Sequence, residues 1–319
     1  MRTLLAPMEG VVDHGMREVL TNLGGYHRCV TEFIRVNNQR IPEHVFRRFA
    51  PELETGGKTS AGTPVYLQLL GGDAKSMGTN AALAQSLEPA GIDLNFGCPS
   101  KTVNKHNGGS ALLREPKRIG NIVASVRDAV DPSIPVTAKI RLGFDNYDLL
   151  DEVVDNVITG GAEELCIHAR TRQDRYKPPA HWQIVKKIST RSTIPIIING
   201  EIWSVKDANR ARKLSGCTDI MLGRGALTCP DLAQSIRANY QGYKYVARSW
   251  LETLRMVRKY LQSNQNAHPM FVSNRAKQWL VFLQMHYQQA GDLFHQIKRL
   301  TEANDVFYVI DKYLEQPDL

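Results

Sequence analysis

The sequence predicts an α/β fold, a (β/α)8 TIM-type barrel followed by a small C-terminal helical domain. Two observations carry the barrel. Eight apolar runs of strand length recur with helical stretches between them, the pattern of βα repetition around a parallel sheet. Nearly every run also ends in polar or conformationally special residues, and in such barrels that end is where function is built. Length agrees: 319 residues suit one barrel of roughly 250 residues plus an appendage.

In chain order the runs are Leu4 to Met8, Tyr26 to Phe33, Pro64 to Leu70, Gly91 to Gly97, Pro135 to Leu142, Glu164 to Ala169, Pro195 to Asn199 and Asp219 to Gly223. Their ends carry Pro7, Met8 and Glu9; Glu32; Gln68; Asn95 and Cys98; Lys139 and Arg141; His168 and Arg170; Asn199, Gly200 and Glu201; and Gly223 and Arg224. One such residue could be chance, but a set on nearly every strand points to a shared pocket. Pro51 to Thr63, rich in Gly, Thr and Lys, reads as an exposed loop.

The barrel domain is expected over 1–242, closing with a helix from about Asp231 to Tyr240, and the helical domain over 243–319. Trp250, Leu254, Val257 and Leu261 fall on one helical face. A further helix is expected to start after Ser273 or Asn274, with Arg275 and Lys277 in its first turn. The helix dipole disfavours cations there, so local stability does not explain them and a phosphate contact would.

A hydrophobic content of 42% with 23% charged residues matches ordinary globular usage, which argues against a disordered or fibrous chain. The opening MRTLLAPMEG is too short an apolar run for a signal peptide, and no run approaches the ~18 residues of a membrane span. A cytoplasmic protein with no membrane association is expected, by default a monomer. Its five cysteines, Cys29, Cys98, Cys166, Cys217 and Cys229, are scattered without zinc spacing, so free thiols and no metal are expected. The net charge is +8, and nine Lys/Arg between Lys244 and Arg299 face only Glu252 and Asp292. Such a surplus suits a polyanion, nucleic acid first, although charge runs are more often solvated faces.

The centre of the reading is Asp93-Leu94-Asn95-Phe96-Gly97-Cys98-Pro99-Ser100-Lys101. Alternation to Gly97 and the lost donor at Pro99 end the strand there and leave Cys98 at its mouth. A thiol with an ordinary pKa near ~8.5 is mostly protonated at neutral pH and can donate a proton. An isolated cysteine is more often structural. Its company with Asn95 and Lys101 favours function. Asn199-Gly200-Glu201 and Gly223-Arg224-Gly225 form neighbouring turns suited to a phosphate, with Arg224 adding charge. If that phosphate belongs to FMN, Gln68 can meet the polar edge of its ring, Pro7, Met8 and Glu9 its face, and Lys139 its anionic end. His168 contacts flavin or substrate, or is a strand-end histidine bonded to a carbonyl. No GxGxxG is present, so a Rossmann site is unsupported.

The combination of LLAPMEG, TEF, LQLLG, LNFGCPSK, KIRLG, HART, NGEI and LGRGAL, in this order over the whole barrel, resembles the tRNA-dihydrouridine synthases. RAKQWL from Arg275 to Leu280 resembles the bacterial C subfamily, which acts at position 16 of the tRNA D-loop. The resemblance implies that NADPH reduces FMN, that hydride passes to C6 of a uracil, and that Cys98 protonates C5. It assigns FMN binding to Pro7, Met8, Glu9, Gln68, Lys139, Asn199, Gly200, Glu201, Gly223 and Arg224. Asn95 would touch the base, and Arg35, Tyr176, Arg275, Lys277 and Lys298 would meet tRNA. An FMN-dependent reductase of a free pyrimidine or other small enone, and a non-catalytic RNA-binding barrel, remain the alternatives.

Overall fold

The computed structural model describes residues 1–264 and 269–315. Its strands are β1 Thr3–Leu5, β2 Arg28–Val30, β3 Ile34–Arg35, β4 Val65–Leu70, β5 Gly91–Phe96, β6 Val136–Arg141, β7 Glu164–His168, β8 Ile196–Asn199 and β9 Asp219–Leu222. All the pairings are parallel, and β2 pairs with β4 while β1 pairs with β9, so the sheet closes on itself. Around and beyond it run α1 His14–Asn22, α2 Glu43–Phe49, α3 Ala74–Gln85, α4 Lys101–Lys105, α5 Pro116–Ala129, α6 Leu150–Thr159, α7 Val185–Arg191, α8 Val205–Ser215, α9 Arg224–Thr228 and α10 Leu232–Gln241. The helical region follows as α11 Trp250–Ser263, α12 Pro269–Leu283, α13 Gln288–Ile297 and α14 Ala303–Glu315.

The eight-stave barrel predicted from the sequence is present, with one stave divided. The run from Tyr26 to Phe33 does not form one strand: β2 pairs with the start of β4 and β3 with its end. Between them the hydroxyl of Thr31 accepts the Gln68 N–H at 3.0 Å, replacing a ladder acceptor. A side-chain oxygen satisfies the backbone there, so the chain can bend without leaving a buried donor unpaired.

Period-two alternation sorts the strand residues into two sets. Leu67, Leu69, Leu94, Ile140 and Ile167 join the layer packed against the helices, whereas Leu4, Val30, Tyr66, Cys166, Ile197 and Met221 form a separate apolar cluster within the barrel. Below that plug lies an ionic floor. Arg2 Nε donates to Asp219 at 2.8 Å, and Arg28 Nη2 donates to Glu164 at 2.6 Å. Above the plug the inward positions turn polar, at Gln68, Asp93, Asn95, Lys139, His168 and Asn199.

The face predicted for the first C-terminal helix is buried, with Trp250, Leu254, Val257 and Leu261 all in α11. A reciprocal capping box between Ser249 and Glu252 starts that helix. Trp279 of α12 stacks edge-on against Tyr260 at 5.3 Å and donates its indole N–H to Leu227 O at 3.1 Å, which seats the helical region on the barrel.

Two expectations change. Helix α12 begins at Pro269 rather than after Ser273, so Arg275 and Lys277 lie beyond its first turn and the dipole consideration does not apply. The segment from Pro51 to Thr63 is not simply exposed: it opens with a 3-10 turn over Pro51–Thr55, and Glu52 is buried.

Glu52 accepts Arg17 Nε at 2.7 Å and Nη2 at 2.8 Å. Burial alone would raise its pKa, but His14 close beside it, the hydrogen bonds from Arg17 and the guanidinium charge outweigh burial and hold it at about 2. Its contribution to stability is therefore present above the ordinary carboxylate value and is lost as pH falls towards about 2. Arg17→Met leaves a buried carboxylate without its cation and should cost about 3–5 kcal/mol in urea unfolding at pH 7. The loss should shrink in acid as Glu52 protonates.

Candidate active site

A cavity of ≈ 290 Å³ opens at the C-terminal ends of the strands. Cys98, Asn95 and Tyr176 line it. So do all eleven residues expected at a cofactor: Pro7, Met8, Glu9, Gln68, Lys139, His168, Asn199, Gly200, Glu201, Gly223 and Arg224.

One wall is a directed hydrogen-bond relay. Thr137 Oγ1 donates to Asp93 Oδ1 at 2.6 Å and Gln68 Nε2 to Asp93 Oδ2 at 2.7 Å. Asn95 Nδ2 then donates to Gln68 Oε1 at 2.8 Å, and Asn95 Oδ1 accepts from Gly97 N at 3.0 Å and Cys98 N at 2.9 Å. Both Asp93 oxygens accept, and that arrangement sets which way both amides point. The relay ends on the backbone that carries the thiol. Burial raises the Asp93 pKa, against the bonds from Gln68 and Thr137. Arg141 holds the same turn from the other side, its Nε donating to Gly97 O at 2.8 Å.

The adjoining wall, from β6 to β8, is cationic and under-satisfied. Lys139 Nζ donates to Asn199 Oδ1 at 2.9 Å, and Asn199 Nδ2 donates to Met221 O at 2.8 Å. An ammonium has three donors, and among the described residues no second acceptor for this one is seen. Burial lowers the Lys139 pKa, and it pushes that of His168 well down, with Arg141 and Lys139 adding repulsion. His168 is therefore neutral at pH 7. Its Nδ1 is buried without a partner. Gly200 sits under that ring at φ +107°, where a Cβ would meet His168 Nε2 at 3.3 Å. Side chains other than glycine are strained there.

Burial also raises the Cys98 thiol above its ordinary value, and the half-buried sulfur stays protonated through neutral pH. At the rim Tyr176 is 51% exposed, with the Arg141 and Arg224 guanidiniums over its ring at 5.3 and 4.9 Å. These are cation–π distances.

A family model described as dihydrouridine synthase matches residues 4–310. The chain belongs to the dihydrouridine synthase family. Relatives named tRNA-dihydrouridine(16) synthase include one from Pseudomonas syringae pv. tomato, 45% identical over 96% of this chain and 97% of its own. Another, from Pseudomonas putida, is 47% identical over 94% and 93%, and one from Vibrio vulnificus 45% over 99% and 98%. The old yellow enzyme homologue of Zymomonas mobilis shares the fold at a TM-score of 0.52 and 11% identity, over 78% of this chain and 91% of its own. Histamine dehydrogenase from Rhizobium sp. 4-9 does so at 0.55 and 15%, over 82% and 48%.

In this family member, four residues expected at tRNA lie outside the cavity lining. Arg35 is half-buried in β3. Lys298 is exposed beside His295, with Nζ and Nδ1 3.1 Å apart. Lys277 Nζ donates to Leu300 O. Arg275 pairs with Asp13 at 2.9 Å. Asp93 opens the central stretch of the sequence but carries no site role there, Phe282 does not stand out, and Arg141 does so only as a strand-end residue. Asp93 shares the inward parity of Asn95, which is a readable signal. Phe282 lines the cavity from α12, and nothing local foretells it.

Asp93→Leu removes the acceptor from two buried donors and should cost roughly 2–3 kcal/mol. A lower urea midpoint with an unchanged slope is the expected result.

Proposed function

We propose that this protein reduces uridine in the tRNA D-loop, at position 16, to 5,6-dihydrouridine, using FMN and NADPH. The observation that carries this reading is the protonated Cys98 thiol at a cavity whose adjoining wall carries Lys139 and His168, the latter with a buried Nδ1 that has no partner. Near-full-length similarity to proteins named tRNA-dihydrouridine(16) synthase supports the substrate and position.

The donor set fits a flavin. A desolvated ammonium with unused donors and an orphaned imidazole nitrogen suit a ring whose reduced form carries negative charge and acceptor atoms. Lys139, His168 and Gln68 would face the ring, while Asn199, Gly200, Gly223 and Arg224 would hold the phosphate end. When bound, FMN reduced by NADPH supplies the hydride that adds to C6 of the uracil. The remaining chemistry belongs to the chain. Cys98 Sγ gives its proton to C5 and becomes a thiolate, which regains a proton from solvent. The Asn95 cap on the Cys98 N–H holds that sulfur's backbone in place while the proton moves.

The uridine must leave the RNA stack to reach this depth. Tyr176, exposed at the rim, offers a face for the extruded ring. Arg35 and Lys298 supply cations for phosphates. Such contacts set which nucleotide arrives while reading little sequence.

Cys98→Ala should keep bound FMN and its visible absorbance yet form no dihydrouridine in single-turnover assays. Product formation at the wild-type rate would remove Cys98 as the acid. In the wild type the rate should fall as pH rises through the elevated thiol pKa, because only the protonated form donates. Arg35→Ala and Lys298→Ala should each raise the KM for tRNA, with the salt slope reduced by about one for every phosphate that goes without its cation.

A further inference from the structure

The loop between β1 and α1 contributes Met8, Glu9 and Val11 to the cavity wall, but the barrel does not hold it alone. At its tip Gly10, with φ +68°, has its carbonyl oxygen taken by two donors from α12: Arg275 Nη1 at 2.6 Å and Gln278 Nε2 at 3.0 Å. The Gly10 N–H donates to Glu32. Arg275 Nη1 also reaches Gln278 Oε1 at 2.8 Å, and Nη2 pairs with Asp13 Oδ2 at 2.9 Å. Asp13 in turn caps α1, accepting the Met16 N–H at 2.9 Å.

Both terminal nitrogens of Arg275 are therefore occupied within the protein. Its pair with Asp13 is largely out of solvent, the side chains being 14% and 21% exposed. Three carboxylates converge on this loop, from Glu9, Asp13 and Glu32. Glu9 and Glu32 repel one another, and Arg275, with Arg17 behind it, opposes the charge of Glu32. Without Arg275 the loop loses a carbonyl partner and a counter-charge together.

We propose that Arg275, with Gln278 and Asp13, is a positioning clamp by which the helical region fixes the β1–α1 loop over the cavity, rather than a phosphate contact. Its effect on turnover rests on the flavin reading given above. The clamp sets the wall against which the ring packs, so disturbing it lowers flavin affinity and rate together. A phosphate contact acts on tRNA affinity instead. Tight positioning is worth much in rate, since small displacements of a reacting assembly are costly.

The test compares full-length wild type with Arg275→Ala, Arg275→Lys, Asp13→Asn and Gln278→Leu. Asparagine caps a helix as well as aspartate, so Asp13→Asn removes the ion pair and keeps α1. FMN titration of the apoprotein, kcat and KM for tRNA at several salt concentrations, and hydrogen exchange of the segment from Pro7 to Val12 are measured. Asp13→Asn and Gln278→Leu should follow Arg275→Ala, with FMN bound several-fold more weakly, kcat lower by about tenfold and KM for tRNA within about twofold. The loop should exchange faster in all three, and lysine should restore part of each loss. Wild-type flavin affinity and loop protection in Asp13→Asn and Gln278→Leu would overturn the clamp. It would equally be overturned if Arg275→Ala acted only through a higher KM and a shallower salt slope. A wild type that binds no FMN would instead count against the flavin reading, and the exchange data would still judge the clamp.

Discussion

A buried carboxylate that accepts at both of its oxygens organises the upper barrel. Asp93 takes a proton donor from Thr137 and another from Gln68, and from that point upward each amide has one permitted orientation. Gln68 must turn its oxygen to Asn95, and Asn95 must turn its oxygen to the N–H groups of Gly97 and Cys98. Were either amide reversed, two donors or two acceptors would face each other in a dry interior, where such mismatches are expensive. The placement of the sulfur follows from that polarity.

The two walls of the cavity differ in kind. On the relay side each amide oxygen and both Asp93 oxygens have partners, and the backbone under Cys98 is held by them. The side carrying Lys139 and His168 retains unused hydrogen-bonding capacity, and burial shifts both groups towards their neutral forms. Folding leaves that wall incomplete, and a ligand with acceptor atoms would complete it. Unsatisfied buried groups of this sort are usual at sites that work on something brought from outside.

Much of this was legible in the sequence because a parallel barrel repeats one rule. Apolar runs ending in Gln68, Cys98, Lys139, His168 and Asn199 announce both the staves and the end at which they share a pocket. Less legible were features set by long-range partners. The break at Thr31 depends on a hydroxyl meeting the Gln68 N–H across the sheet. The start of α12 has a local signal in Pro269, which suits the first turn of a helix. Arg275 reads as surplus charge until Gly10 and Asp13 are seen beside it, and Arg258 is similarly committed, to Asp311 at 2.9 Å. Net charge therefore overstates what is free to meet phosphate.

The lattice of Arg2, Arg28, Glu164 and Asp219, with the apolar plug above it, shuts the barrel from beneath. Among the described residues, the cavity opens at the other end, where the strands terminate. On the function proposed above, a reductant and a macromolecular substrate would share that opening and come to it in turn. On the same reading, the water that would restore a spent thiol comes by that route too.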